Sequence, residues 1–232
     1  MLNVDGFELA DPGIVVGLDL SLTAPGVAAL YKPWGQETPR AVATTVDRVP
    51  TATDKRGLVL RSAAERIAWT VEKLAAREDE VLVVIEALLL QSGTGKAPER
   101  AAFWWMVRGE LESKGYAVTS VHPTTRRSLS HDAAAVAKLA RMREEIKSFG
   151  KLPQKEADRH KRRLAKLGKT VSVETARRRW PSVVLPDDDA ADALVCADLG
   201  ARALEWPGLP ELDNKNLPSA IKSLGVTKGK NA

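Results

Sequence analysis

Apolar residues follow two rhythms along this chain. Short unbroken runs come first, at Ile14–Ser21, Val27–Tyr31 and Ala41–Val46, with turn formers Thr23, Ala24, Pro25 and Gly26 between the first two. Such runs read as strands, and their short spacing predicts an antiparallel meander. The rhythm then changes. Leu60, Ala64, Ile67, Val71 and Leu74 recur at helical spacing, with Thr53 or Asp54 ahead of them as a cap. Val81–Glu86 is again a strand, and a strand reached through a helical crossover lies parallel to its sheet neighbour. Residues 91–96 read as a flexible loop, residues 98–114 as a helix stopped by Gly115, and Ala117–Val121 as a strand ended by Pro123. Residues 133–167 are helical with a break at Lys151-Leu152-Pro153, and 188–204 form a last helix closed by Trp206-Pro207-Gly208.

The order predicts an α/β fold: a mixed central sheet, antiparallel meander then parallel strands, flanked by helices. A lead over 1–12 precedes one domain over 13–212. That domain includes a basic helical insertion over 131–168, and a flexible basic tail over 213–232 follows it, with Lys215, Lys222, Lys228 and Lys230 among small residues. No internal repeat is visible.

Composition narrows the class. The 232 residues and an apolar fraction of 44% support one substantial core. The single cysteine, Cys196, excludes an internal disulfide and a Cys-rich zinc site, and its apolar surroundings make it a buried thiol. No apolar run approaches the roughly 18 residues of a membrane span. The first twelve residues carry Asp5, Glu8 and Asp11 and no base, unlike a secretory signal, so a soluble cytoplasmic protein is expected.

Charge changes the picture more. Residues 122–180 hold 17 Lys and Arg against 6 Asp and Glu, whereas the remainder holds 18 against 24. One segment supplies the whole positive excess, which suggests a polyanionic partner over a merely solvated helical face.

Against this stand four acids. Asp19 falls at the end of the first run and Glu86 at the end of the fourth, while Asp189 and Asp192 lie three apart on one helix face. Buried strands seldom end in unpaired carboxylates, because burying a lone charge is costly. A hard divalent cation takes oxygen ligands of this kind, and two such ions can drive phosphodiester hydrolysis. Asp187 and Asp188 suit the helix start, with Asp188 a reserve ligand.

These residues resemble the RuvC family of Holliday-junction endonucleases, in the RNase H-like superfamily. The resemblance rests on Gly17-Leu18-Asp19-Leu20-Ser21 with Gly26-Val27-Ala28, on Ile85-Glu86, and on Asp189-Ala190-Ala191-Asp192-Ala193-Leu194, and it spans residues 13–204. Arg108-Gly109 and His122-Pro123-Thr124-Thr125-Arg126-Arg127 are weaker matches, with Arg127 the counterpart of a basic DNA-contacting residue. The resemblance implies an RNase H-like fold and a metal-dependent endodeoxyribonuclease of the crossover-junction type. Asp19, Glu86, Asp189 and Asp192 would then serve as metal ligands for two Mg²⁺ ions, replaceable by Mn²⁺, with no small-molecule cofactor. Cleavage of branched DNA, junctions foremost and forks and flaps besides, would leave 5′-phosphate and 3′-hydroxyl ends. A homodimer is implied too, matching two active sites to two related strands of a four-way junction.

Two departures stand out. The family often carries an aromatic three residues after the strand-end Glu, and here Leu89 stands there as an apolar wedge toward DNA. The usual Gly-rich, Gln-containing stretch is replaced by the basic run from Lys138 to Arg163. A phage-type member, working in a host cytoplasm, fits such divergence. The expected phosphate contacts are Arg126, Arg127, Lys138, Arg141, Lys155, Arg159, Lys161, Arg162 and Arg163.

Other motifs carry less. Ser92-Gly93-Thr94-Gly95-Lys96 fails as a phosphate loop, since Leu90 and Ala97 stand where Gly and Ser or Thr belong; Lys96 remains a phosphate contact in reach. Phe103, Trp104, Trp105 and Met106 exceed what one helix face buries, pointing to a subunit contact that includes Trp69. His122, His131 and His160 lack metal-ligand spacing, and only His122 is expected near the acids. Arg177, Arg178 and Arg179 bind phosphates or form a solvated turn. Two rival readings remain: a non-catalytic nucleic-acid-binding module on the same fold, which leaves the four acids unexplained, and an actin-like ATPase, which lacks its other nucleotide signatures.

Overall fold

The computed structural model describes residues 2–4, 7–33, 37–47, 56–75, 80–88, 97–149, 153–212 and 214–228. The apolar runs form a five-stranded mixed sheet from β3 (Ile14–Asp19), β4 (Gly26–Tyr31), β5 (Arg40–Thr45), β6 (Val81–Glu86) and β7 (Ala117–Val121). Two short strands, β1 (Leu2–Val4) and β2 (Phe7–Leu9), precede them. The sheet order is β5-β4-β3-β6-β7, with β3, β4 and β5 antiparallel and β3, β6 and β7 parallel. Meander and crossovers are therefore as the pattern predicts, and the fold class is α/β.

Alternation along each strand sends side chains to two cores. Val16, Leu18, Val83 and Ile85 pack with α1 (Arg56–Leu74) and α2 (Ala97–Ser113) on one face. Val15, Ala28, Leu82 and Val84 pack on the other face with α6 (Asp188–Ala203). Helix α6 is almost wholly buried, and its small residues let it lie close on the sheet. A Cβ on Gly17 would strike the Ala193 carbonyl, one on Gly26 the Asp189 carbonyl, and one on Gly200 the side chains of Val15 and Val84. Each buried Leu, Ile or Val contributes roughly 1.5–3 kcal/mol, so one core holds α6 against the strands and the other holds α1 and α2 there.

Between β7 and α6 lie α3 (Pro123–Leu129), α4 (Ala133–Ser148) and α5 (Gln154–Arg179). Helices α4 and α5 form a hairpin around a small core of Ala135, Leu139 and Val171, with Leu164 and Leu167 against it. Asp132 caps α4 by accepting from the Ala135 N–H at 2.8 Å. The Lys151-Leu152-Pro153 break separates the two helices as read, although residues 150–152 lie outside the described residues.

Several boundaries differ from expectation. The fifth helix runs on to Arg179, so the arginine triplet is helical, with Arg177 and Arg178 exposed and Arg179 half-buried. Arg178 pairs with Asp132 at 2.5 Å, Arg179 donates to the Leu129 carbonyl at 2.8 Å, and Arg177 donates to the Leu185 carbonyl. Pro123 does not merely end a strand; it opens α3, with His122 as N-cap. Thr53 and Asp54 lie outside the described residues.

The tail expectation fails over 214–228. Helix α7 (Leu217–Ser223) and strand β8 (Thr227–Lys228) are folded, and β8 pairs with β1 in a second sheet of order β2-β1-β8. Val4, Leu9, Ala220 and Leu224 are buried in the α6-side core. Thr119 donates to the Leu224 carbonyl at 2.6 Å, fastening α7 to β7. A few apolar anchors spaced among lysines suffice to dock this segment. No helix among the described residues is long and apolar enough to cross a membrane.

Candidate functional site

The parallel pairing Leu18↔Ile85 puts Asp19 and Glu86 at the same end of adjacent strands. The first turn of α6 comes to that end because Asp187 caps the helix, accepting from the Ala190 N–H at 2.9 Å, and because Gly26 admits the Asp189 backbone. Asp19, Glu86, Asp189 and Asp192 are thus brought to one site, from three elements separated widely in the sequence.

The carboxylates repel one another there. Burial, with Glu86, Asp192 and Asp189 adding to it and Arg126 opposing, holds the Asp19 carboxyl well above the usual carboxylate range. Burial pushes Asp189 up to about 7, with Asp188 adding and Lys169 opposing. Burial pushes Asp192 up to about 6 against the pull of Arg126. Neither Asp19 nor Asp189 has a side-chain hydrogen bond or ion pair among the described residues.

Arg126 is placed differently from its expected role as a surface phosphate contact. It is 6% exposed, and its guanidinium is ion-paired with both Glu86 and Asp192. The cause is local. Pro123 starts α3 directly after β7, so the helix turns across the strand ends and aims Arg126 inward. Burial works against its charge, but Asp192 and Glu86 outweigh that and strengthen it. Beside it Lys169 pairs with Asp188 at 2.5 Å.

Two grooves flank the acids, and Asp19 and Arg127 line both. One, of about 340 Å³, is bounded also by Glu86, Arg100, Trp104 and Pro123. The other, of about 510 Å³, runs under the α4–α5 hairpin past His131, Arg143, Lys161, Lys169, Asp189 and Asp192. Trp104 steadies the strand end by donating from Nε1 to the Glu86 carbonyl at 2.9 Å.

The expected phosphate contacts divide. Arg127 and Lys161 face the grooves. Lys155, Arg159 and Arg162 share a separate recess on the hairpin, Lys138 lies 3.5 Å from Glu174, Arg163 lies 3.9 Å from Glu145, and Arg141 is exposed. Leu89 and Lys96 lie outside the described residues. Arg100, Arg143 and Lys169 are not among the sequence candidates, since nothing in their spacing relates them to the acids, and His131, expected away from the acids, proves to be beside them. His131 lines the acid groove, and burial lowers its pKa, whereas His122 caps a helix. Of the aromatic run, Phe103 and Trp104 are buried and Trp105 is 62% exposed; Trp69 on α1 is 58% exposed.

The donor set is oxygen-only, which suits a hard divalent cation, and Asp19 and Asp189 make no ion pair among the described residues. Yet among the described residues no group of three or more His, Cys, Asp or Glu is gathered closely enough to hold a metal ion. The donor chemistry fits; the interval between Glu86 and Asp192 is taken by Arg126.

No protein-family model matches the sequence, and no curated protein matches it. The fold does have solved counterparts. The Thermus thermophilus RuvC structure superposes with a TM-score of 0.51 at 14% identity, over 85% of this chain and 99% of that one. Thermus thermophilus RuvC in complex with Holliday junction substrate gives 0.51 at 15% identity, over 86% and 99%. The RuvC architecture, an RNase H-like fold, is therefore shared, with little of the sequence.

Proposed function

We propose that this protein is a divalent-metal-dependent endodeoxyribonuclease acting on branched DNA. One observation carries the reading: a carboxylate, Asp19, sits among three others at the strand ends without a side-chain partner among the described residues, beside two grooves edged with bases. Selection against buried repulsion is strong, so such a cluster persists where a cation and a phosphate use it. The fold shared with a protein solved on a Holliday junction supports four-way junctions as the leading substrate, with forks and flaps behind.

Asp19 and Asp189 would hold Mg²⁺ or Mn²⁺, with Glu86 and Asp192 beside them. When bound, the metal would supply an activated water and neutralise charge on the leaving 3′ oxygen, giving 5′-phosphate and 3′-hydroxyl ends. Arg127 orients the phosphodiester from the wall common to both grooves, and the α4–α5 hairpin supplies affinity. A homodimer would set one site on each of two related strands. The exposed Trp69 and Trp105 on α1 and α2 support a contact on that face.

The test is cleavage of a matched panel of junction, fork, flap and duplex DNA with Mg²⁺, Mn²⁺ or EDTA. Asp19→Asn should abolish cutting and retain binding; cutting at the wild-type rate would reject the assignment.

A second reading has its own support. Arg126 already pairs with both Glu86 and Asp192 and offsets part of their charge, which suits a non-catalytic DNA-binding module. That reading prevails if the purified wild-type protein binds junctions tightly and cuts none of the panel with either metal.

A further inference from the structure

We infer that the groove bounded by Trp104 and the turn after β3 takes one unstacked nucleobase of the bound DNA strand, while the groove under the α4–α5 hairpin takes that strand's phosphates. The inference rests on the DNA-binding part of the reading above and not on the metal. It adds how the strand is divided between the two sides of Asp19.

The grooves meet at Asp19 and Arg127, which line both, so a strand passing the acids enters each. Their walls differ in kind. The hairpin groove carries Arg126, Arg127, Arg143, Lys161 and Lys169 against Asp19, Asp188, Asp189 and Asp192. Its cations come from three helices, α3, α4 and α5, and cations of this sort are the partners of a phosphate backbone. The other groove has only Arg100 and Arg127 as cations, and its walls are Leu20, Leu22, Ala87, Leu88, Trp104 and Pro123. Such a surface seats a phosphate poorly and a flat ring well. Its volume of about 340 Å³ suits a cleft that holds a small group between apolar walls with a few polar atoms.

The apolar wall is already in place. Leu22 and Trp104 are buried in the core behind it. Trp104 is held by its bond to the Glu86 carbonyl, by Trp105 edge-on with ring centroids 4.9 Å apart, and by the Arg108 guanidinium 5.6 Å from its ring. A side chain so fixed loses little freedom when a base arrives. The polar edge comes from the turn after β3. The Ser21 N–H donates to the Asp19 carbonyl at 3.0 Å, which bends the chain back beside the acids. The Ser21 and Thr23 hydroxyls are hydrogen-bonded at 2.7 Å, and Thr23 is exposed. A hydroxyl has one donor and two acceptor positions, so the pair retains capacity for a base edge, with exposed Arg100 across the groove as a further donor.

A base inside a duplex is stacked and cannot enter a concave groove. It must leave the stack, which costs least where pairing is already lost. A branch point supplies such a nucleotide and a linear duplex does not. The groove therefore favours branched DNA through a base, separately from the salt-dependent hold of the hairpin.

The experiment is photo-cross-linking of the full chain in EDTA, where no strand is cut. Iodouracil replaces one thymine at a time around the branch point of a four-way junction, and cross-linked peptides are identified by mass spectrometry. One position should cross-link to Trp104 or to residues 20–23, and the same base within linear duplex should not. Cross-links confined to the hairpin, none at any position, or equal cross-linking in linear duplex overturns the inference. Ala87→Leu, which fills the groove, should lose the cross-link and keep the wild-type salt dependence of junction binding; a retained cross-link counts against the groove. Should that variant not fold, the wild-type cross-links decide alone. The two proposals fail separately: this cross-link without cleavage of any DNA under either metal sinks the nuclease reading alone, and junction cleavage without the cross-link sinks this inference alone.

Discussion

Lys169 Nζ lies 2.5 Å from the Asp188 carboxylate, so the basic hairpin is tied to the very turn that carries Asp189. The pair is partly exposed, and such pairs contribute ~1 kcal/mol or less. Its electrostatic reach matters more, because Lys169 opposes the upward shift of Asp189. Lys169→Ala should therefore barely move the urea midpoint, yet shift the pH at which Mn²⁺ affinity is half-developed upward. Isothermal titration at a series of pH values measures this, and an unchanged midpoint would separate Lys169 from the acids.

Stability of the metal-free protein should fall as pH rises from about 4 to about 7. The unfolded carboxyls titrate near 3.8, whereas Asp192 and Asp189 titrate at about 6 and about 7 in the fold. Between those limits the folded chain keeps protons that the unfolded chain has released, so each step up in pH favours unfolding. The penalty is absent below the unfolded value and complete above the folded one. Thermal melts in EDTA across this range should show the decline, and Mg²⁺ should cancel it near neutrality. Asp19→Asn should melt higher than wild type at pH 7 in EDTA and gain less from Mg²⁺.

Gly17→Ala should be among the most damaging single-methyl changes in the chain. The added Cβ would collide with the Ala193 carbonyl oxygen and the Ala197 nitrogen, which are backbone and cannot rotate away. Overpacking of this sort costs roughly 1–3 kcal/mol or more, and it would lift α6 from the strand beside Asp19. Gly109→Ala, with nothing within 4 Å of the new methyl, is the control and should stabilise α2 by up to about 1 kcal/mol. Equal melting temperatures for the two variants would contradict the close packing of α6.

Removing positive charge from the hairpin should weaken DNA binding without touching chemistry. Arg143 and Lys161 line the acid groove, whereas Lys155, Arg159 and Arg162 sit in a separate recess. Neutralising the first pair should lower the slope of log affinity against log salt by about 0.9 per lost phosphate contact on duplex arms. Neutralising the recess triplet should lower it less. The reverse ranking would move the DNA path to the outer side of the hairpin.

The sheet and the four acids were readable because strand runs and strand-end carboxylates leave a mark at short range. Asp19 and Glu86 each end an apolar run, and Asp189 and Asp192 share a helical repeat. Arg126 was legible only as a base in a basic stretch. Its inward course depends on where Pro123 opens α3 against the strand ends, a relation between elements far apart in the sequence. The same holds for Lys169 and Asp188, and for the α7–β8 segment, whose few apolar anchors are diluted by lysines. Leu89 lies outside the described residues, so the wedge reading stands as proposed from sequence.

The pairing of Leu2 with Lys228 has a consequence for how the chain is made. Strand β1 can form its hairpin with β2 as soon as both leave the ribosome, but its other edge waits until Thr227 and Lys228 have followed. During that interval it is an open edge, a template for adding strands from other molecules. Contacts between residues this far apart in sequence are also slow to close. A chain lacking Thr227 and Lys228 would keep this edge bare, so it should retain Asp19, Glu86, Asp189 and Asp192 at the strand ends yet be prone to self-association.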